Sequence, residues 1–271
     1  MAIGTKGTID FDNDFTGVSG VIVIPATGIA LGGGVGVIGI GTTGSLTATL
    51  DEPGGVVAIL TTASDDENAF LVAGNFKPAD GGMWMEARFK IPTSVAATRE
   101  AVWCGFTETL NQTTPVMPSE RATATTTYNG TGGMIGVMFD GDSTLLEFFA
   151  VAGDGGAVLA NKDYKGTAGV ANGIQLTGSA GLPGGTILTA DRWYIVRVEI
   201  KTNGIGRVYF GDYDGGASLT KNLALVLETT AALGTADSFT ACLGIENRAA
   251  ADEELEVDYF IGGGYRDWSA N

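Results

Sequence analysis

Histidine is absent from this chain of 271 residues. With it go the commonest general base, every Ser-His-Asp or Cys-His arrangement and all imidazole metal ligation. Cysteine occurs only as Cys104 and Cys242, in Trp103-Cys104-Gly105-Phe106 and Ala241-Cys242-Leu243-Gly244. Two buried free thiols are expected, with a single disulfide as the alternative. Basic residues are scarce: 15 Lys and Arg stand against 31 Asp and Glu, a formal net charge of −16. Such a chain repels a phosphate backbone or an anionic bilayer, so neither nucleic acid nor membrane is an expected partner. The N-terminal MAIGTKGTIDFDNDF lacks a basic stretch followed by an apolar core, and no secretory signal is expected from it. No long amphipathic helical pattern and no fixed-period repeat is visible.

What is present is glycine, 43 residues of it, with 44% hydrophobic but only 17% charged residues. That balance suits short strands and tight turns, and the expected class is all-β. Phe15–Leu50 carries no charge. Its VIVIPATGIALGGGVGVIGI is apolar enough to raise a membrane helix, but Pro25 and the glycines oppose a helix, and buried strands or a Gly-rich interface segment fit better. Residues 1–50 are therefore read as a Gly-rich strand or arm belonging to the same unit as the rest.

The clearest local signal is Asp191–Asp212. Tyr194, Val196, Val198 and Ile200 alternate with Ile195, Arg197, Glu199 and Lys201; Asn203-Gly204 supplies a turn, and Arg207-Val208-Tyr209-Phe210 returns. This predicts an antiparallel hairpin with one dry face that a second layer must cover. Met83–Ile91 alternates likewise, with Trp84, Glu86, Arg88 and Lys90 on the second face. Met134–Phe139 and Leu145–Val151 flank an Asp140–Ser143 turn, 110–133 reads as a surface excursion, and 153–189 reads as a loop with short edge strands. Near the C-terminus, Leu255, Val257, Tyr259 and Ile261 alternate against Glu256, Asp258 and Phe260. About a dozen strands of this kind predict one two-sheet antiparallel β-sandwich with long loops.

The order of the Gly82–Lys90 strand, Trp103–Thr107, Gly136–Phe139, the Trp193–Phe210 hairpin and the closing Glu256–Phe260 resembles the concanavalin A-like jelly roll, the lectin/glucanase fold. The resemblance spans 8–262 as one domain and leaves 263–271 as a tail. The Gly- and Thr-rich, histidine-free chain is also similar to virion structural proteins of tailed bacteriophages. That likeness implies a non-enzymatic capsid decoration or other virion surface protein, assembled in the host cytoplasm. It would act through subunit contacts as a homo-oligomer, a trimer being the expected form, with capsid or other virion proteins as partners.

Particular residues suggest other chemistries. Asp10, Asp12 and Asp14 open like a calcium loop, but Phe15 and Val21 stand where the turn Gly and bidentate Glu are needed, which rejects an EF-hand. These acids, with Asp65–Glu67, are the Ca2+ candidates of an alternative reading, a carbohydrate-binding module. Glu254, Glu256 and Asp258 at alternate positions suggest a glycosidase pair, but the laminarinase-like order Glu-x-Asp-x-(x)-Glu is reversed and displaced to the closing strand. No catalytic residue and no cofactor is assigned. Trp84, Trp103 and Trp193 fall in strand patterns and are read as core; Trp268, in the tail, is the candidate for partner or sugar contact.

Overall fold

A computed structural model describes residues 6–13, 15, 21–23, 29–32, 34–40, 44–48, 55–92, 99–110, 115–163, 173–176, 190–213 and 223–267. Its strands, in chain order, are β1 (Lys6–Asn13), β2 (Val21–Val23), β3 (Ile29–Gly32), β4 (Val35–Ile40), β5 (Ser45–Ala48), β6 (Val57–Leu60), β7 (Asn68–Phe76), β8 (Met83–Lys90), β9 (Glu100–Thr107), β10 (Ser119–Ala122) and β11 (Thr125–Tyr128). They continue with β12 (Met134–Asp140), β13 (Phe149–Asp154), β14 (Ala157–Val158), β15 (Asn161–Asp163), β16 (Ile174–Gln175), β17 (Trp193–Ile200), β18 (Gly206–Tyr213), β19 (Ala224–Thr229), β20 (Phe239–Asn247) and β21 (Glu254–Asp267).

Two antiparallel sheets form the body. The first runs β15-β19-β18-β17-β8-β21-β6-β5-β2, with β1 also on β21; the second runs β14-β13-β12-β9-β20-β7-β4-β3, with β16 also on β13. The Asp191–Asp212 hairpin forms as β17 and β18, and β8 supplies the neighbour on its other side. Its turn depends on Gly204, at φ 77°, where a Cβ would come within 2.3 Å of the Leu233 carbonyl oxygen. Only glycine combines that φ with that approach.

Alternation then fills the space between the sheets. Met83, Met85, Ala87 and Phe89 from β8 and Tyr194, Val196, Val198 and Ile200 from β17 meet Val102, Cys104 and Phe106 from β9 and Ile135, Val137 and Phe139 from β12 in one buried cluster. The other face of the second sheet is also dry. Ile38, Phe70, Trp103, Met134, Met138, Phe149 and Cys242 form a second cluster with Met117 and Tyr128. The 110–133 excursion is thus more than surface loop: its β10–β11 hairpin brings cover to that cluster, because both faces of the central strands β9 and β12 are apolar.

Register decides the cysteine question. Cys242 lies opposite Gly105, and Cys104 opposite Leu243, so the two cysteines differ by one position and point to opposite faces. Cys104 joins the inter-sheet cluster and Cys242 the outer one, both as free thiols. Burial pushes both thiols up, leaving them protonated and inert.

Strand β21 departs from the simple alternation. Its register on β8 shifts between Val257 and Tyr259, so Leu255, Val257 and Phe260 are buried in the core, while Tyr259 sits beside Arg88 on the outer side. The extra residue of the bulge is Asp258. Strict alternation had put Tyr259 with Leu255 and Val257, and the bulge inverts that assignment beyond Asp258. Residue Leu223 onward, open between strand and helical turn in sequence, is the strand β19. The Asp140–Ser143 turn is longer than expected, since β13 begins only at Phe149. Residues 16–50 contribute β2 to β5, and among the described residues no helix is long and apolar enough to cross a membrane.

Candidate functional site

Because directly opposed residues share a face, the registers lay out the outer side of the first sheet in rows. One row reads Asp10, Gly263, Trp84, Glu199, Arg207, Glu228 and Lys162 across β1, β21, β8, β17, β18, β19 and β15. The next reads Asp12, Ile261, Glu86, Arg197 and Tyr209. Each row pairs cations with carboxylates. Arg197 Nε donates to Glu199 Oε1 at 2.8 Å and its Nη1 lies 3.7 Å from Glu86 Oε2. Arg207 and Lys162 both reach Glu228, at 2.5 and 2.8 Å. Tyr259 donates its hydroxyl proton to Glu86 Oε1 at 2.7 Å, and burial holds that phenol well above its ordinary range.

Aromatic rings stand among these pairs. The Arg197 guanidinium lies 4.9 Å from the Trp84 ring centre, and Arg88 and Lys90 lie 4.5 and 5.0 Å from that of Trp193. Both indoles are half-buried on the outer face, whereas Trp103 alone of the three strand tryptophans is fully enclosed. The core assignment therefore holds for Trp103 and is corrected for Trp84 and Trp193. The signal was in the pattern: Trp84 alternates in phase with Glu86, Arg88 and Lys90. Beside Trp84 a groove of about 420 Å³ is lined by Gly81, Gly82, Trp84, Arg197, Glu199 and Lys201, among others.

The residues suggested as a glycosidase set do not converge as one. Lys90 Nζ holds Glu256 at 2.9 Å and Arg88 Nη1 holds Asp258 at 2.7 Å. Burial, then Glu256, raises the carboxyl of Glu254. Two of the three carboxylates are thus engaged as ion-pair partners. Asp10 and Asp12 are exposed on one face of β1. Asp65 and Asp66 are exposed at a turn. Asp14 and Trp268 lie outside the described residues. Among the described residues no group of three or more His, Cys, Asp or Glu is placed to hold a metal ion.

A second polar centre, not foreseen from sequence, closes one end of the second sheet. Asp140 accepts two bonds from Arg248, Nε at 3.1 and Nη2 at 3.0 Å, and one from the Arg121 backbone N–H at 2.7 Å. Arg248 Nη1 also donates to Glu246 Oε1 at 2.5 Å, while Asn68 Nδ2 donates to Glu246 Oε2 at 3.2 Å. These three charged residues come from β12, the end of β20 and the turn after it, so only folding brings them together.

Burial pushes the Glu246 carboxyl up to about 7, against the opposing pull of Arg248 and Asn68; Glu120 and Asp66 add to the rise. A carboxyl raised on folding holds a proton that the unfolded chain releases near pH 4.5. Its contribution to stability is then fully present below that pH and is lost as pH climbs to about 7. The loss is of the order of 3 kcal/mol. Glu246→Gln should therefore gain on the parent between pH 5 and pH 8 when unfolding midpoints are compared; parallel midpoint-pH curves for the two proteins would refute the assignment.

No known family profile matches the chain, and no curated protein matches it in sequence. Solved structures do resemble it. A Shewanella oneidensis MR-1 protein of unknown function, SO2946, is 14% identical with a TM-score of 0.53, covering 98% of this chain and 89% of its own. Peanut lectin is 8% identical with a TM-score of 0.49, over 96% of this chain and 99% of its own. The exoplasmic/lumenal domain of VIP36, in a Ca2+/Man2-bound form, is 11% identical with a TM-score of 0.48, over 89% and 86%. What is shared at such identities is the fold: this chain is an all-β sandwich of two antiparallel sheets.

Proposed function

We propose that the protein is a non-enzymatic structural protein of a virus particle, a decoration or other surface protein of a tailed-bacteriophage virion that works through subunit contacts. The observation that carries this reading is where the charge-free segment ends up. Among the described strands, β2 closes one edge of the first sheet and β3 one edge of the second, and both come from residues 16–50. An edge strand offers unpaired backbone N–H and C=O groups to a neighbouring chain, and Lys or Glu side chains that would discourage such pairing are missing from both. The engagement of Glu256 and Asp258 with Lys90 and Arg88 agrees with a surface that holds its shape instead of one that turns over substrate.

The protein is expected to sediment as a closed homo-oligomer, a trimer, and Ile22→Lys or Ala30→Lys is expected to shift it toward monomer. A parent protein that remains monomeric at high concentration sinks the reading. Coding sequences for a capsid protein and its protease beside this one would support the virion setting.

A second reading, a carbohydrate-binding module, is favoured by one feature: the half-exposed Trp84 beside a groove on a sheet face rich in hydrogen-bonding groups. A glycan array with and without chelator tests it, and silence in both conditions rejects it.

A further inference from the structure

One end of the inter-sheet core is polar. Thr61 follows Ile59 by two positions, Glu100 precedes Val102 by two, Asn247 follows Ile245 by two and Glu253 precedes Leu255 by two, and those four apolar residues all belong to the inter-sheet cluster. Period-2 alternation therefore turns the four polar side chains inward as well, and all four are buried. Strand pairing gathers them. Asn247 lies opposite Glu100 across β20 and β9, and the Thr61 N–H donates to the Glu253 carbonyl at 3.1 Å. Asn247 Nδ2 donates to the Ser64 carbonyl at 3.0 Å and to that of Thr62, while its Oδ1 accepts from the Thr61 hydroxyl. That last bond crosses from the first sheet to the second.

The two carboxyl groups lack such partners. Glu100 is 0% exposed and Glu253 1%, and no carboxyl oxygen of either accepts a hydrogen bond among the described residues. Burial, then the charge of Glu253, raises the Glu100 carboxyl, so the two groups are near enough to repel. Arg99 Nε lies 3.3 Å from Glu253 Oε1 without hydrogen-bonding to it, on a side chain 39% exposed that is free to turn to water. Two buried carboxyls without donors, beside a hydroxyl and an amide carbonyl, form an all-oxygen set with no nitrogen or sulfur ligand. Such a set selects a hard divalent cation. Ca2+ takes about 6–8 oxygens in flexible geometry and accepts both oxygens of a carboxylate, whereas Mg2+ demands near-octahedral geometry and retains water that an enclosed core has little room for. We propose that Glu100 and Glu253, with Thr61 and Asn247, form a Ca2+ site between the sheets. The cation offsets the two buried charges and ties the connections after β6 and β20 to the start of β9, closing this end of the sandwich.

The full chain, stripped with EDTA and returned to buffer, tests this by calorimetric titration and by unfolding midpoint with Ca2+ and with Mg2+. One Ca2+ per chain is expected to bind and to raise the midpoint by about 5 °C at a hundredfold excess over Kd, with a much smaller rise from Mg2+. Glu100→Gln and Glu253→Gln should each weaken Ca2+ binding roughly tenfold or more and abolish the rise. In EDTA both variants should unfold no earlier than the parent, because each removes a buried charge and keeps the side-chain shape. Asp10→Asn, on the exposed face of β1, should leave the rise unchanged. Should a glutamine variant fail to fold, Glu100→Asp keeps the charge but draws it back, and it should weaken Ca2+ binding severalfold. A parent that binds no Ca2+ overturns the site. So does a rise as large with Mg2+, which marks screening of surface acids, or a Ca2+ response that survives substitution of Glu100 and Glu253.

Discussion

Phe148→Ala is expected to lower the stability of the sandwich by about 3–5 kcal/mol, a fall of roughly 10 °C in unfolding midpoint for a chain of this size. Phe148 lies in the loop before β13, where sequence alone suggests a strand, and its side chain is fully enclosed. Four rings surround it: Phe89 at 6.0 Å, Phe139 at 5.5 Å, Tyr194 at 4.8 Å and Phe210 at 5.5 Å between centroids. Phe89, Tyr194 and Phe210 come from the first sheet and Phe139 from the second, so one ring joins both layers. Truncation would leave a cavity bounded by aromatic faces that strands on both sides prevent from collapsing. Phe148→Leu, which fills most of that space, should cost only about 1–2 kcal/mol. Urea unfolding of both variants checks the claim, and a loss below about 1 kcal/mol for the alanine variant would show that the ring is not a hub.

Arg248→Ala is expected to be comparably damaging, for an electrostatic reason. Asp140 and Glu246 are 1% and 4% exposed, and Arg248 bonds to both. Without the guanidinium the buried Asp140 loses its charged partner and Glu246 one of its two, and breaking such a pair from one side costs about 3–5 kcal/mol. The damage should spread to the cover of the outer cluster. Asp140 holds the backbone of Arg121 in β10, and the Arg121 guanidinium lies 4.0 Å over Phe149, with Nη1 donating to Thr126 in β11 at 2.9 Å. Limited proteolysis should accordingly cut faster within 115–128 in the variant. A double-mutant cycle with Asp140→Ala separates the pair from its surroundings: the two losses are expected to be strongly non-additive, because the second removal relieves the charge that the first exposed. Additive losses would mean that Arg248 acts through packing alone.

Much of the fold can be read in the chain. The β17–β18 hairpin, the inward phase of β8 and the all-β class follow from period-2 alternation and turn residues, which are local properties. The same local logic misplaces Tyr259 and Phe260, because a bulge at Asp258 is a property of the β21–β8 pairing and leaves no mark in β21 by itself. It also reads Trp84 and Trp193 as core. Large apolar area argues for burial, but their strand phase puts them on the side where Arg197, Arg88 and Lys90 cover them from water only in part.

By itself the sequence determined what chemistry is available and which residues alternate. Without histidine there is no imidazole to act as base or ligand, and an excess of 16 negative charges disfavours polyanionic partners. Tertiary structure alone decided which groups meet. It separated Cys104 from Cys242 by one register position and brought Asp140 to the Glu246–Arg248 segment, 108 positions from Arg248. It also put Trp84 and Trp193 on the outer face of the first sheet beside Arg197, Arg88 and Lys90. The reason is that strand pairing joins residues hundreds of positions apart, and its register, fixed by burial across the whole sheet, is not encoded in any one strand.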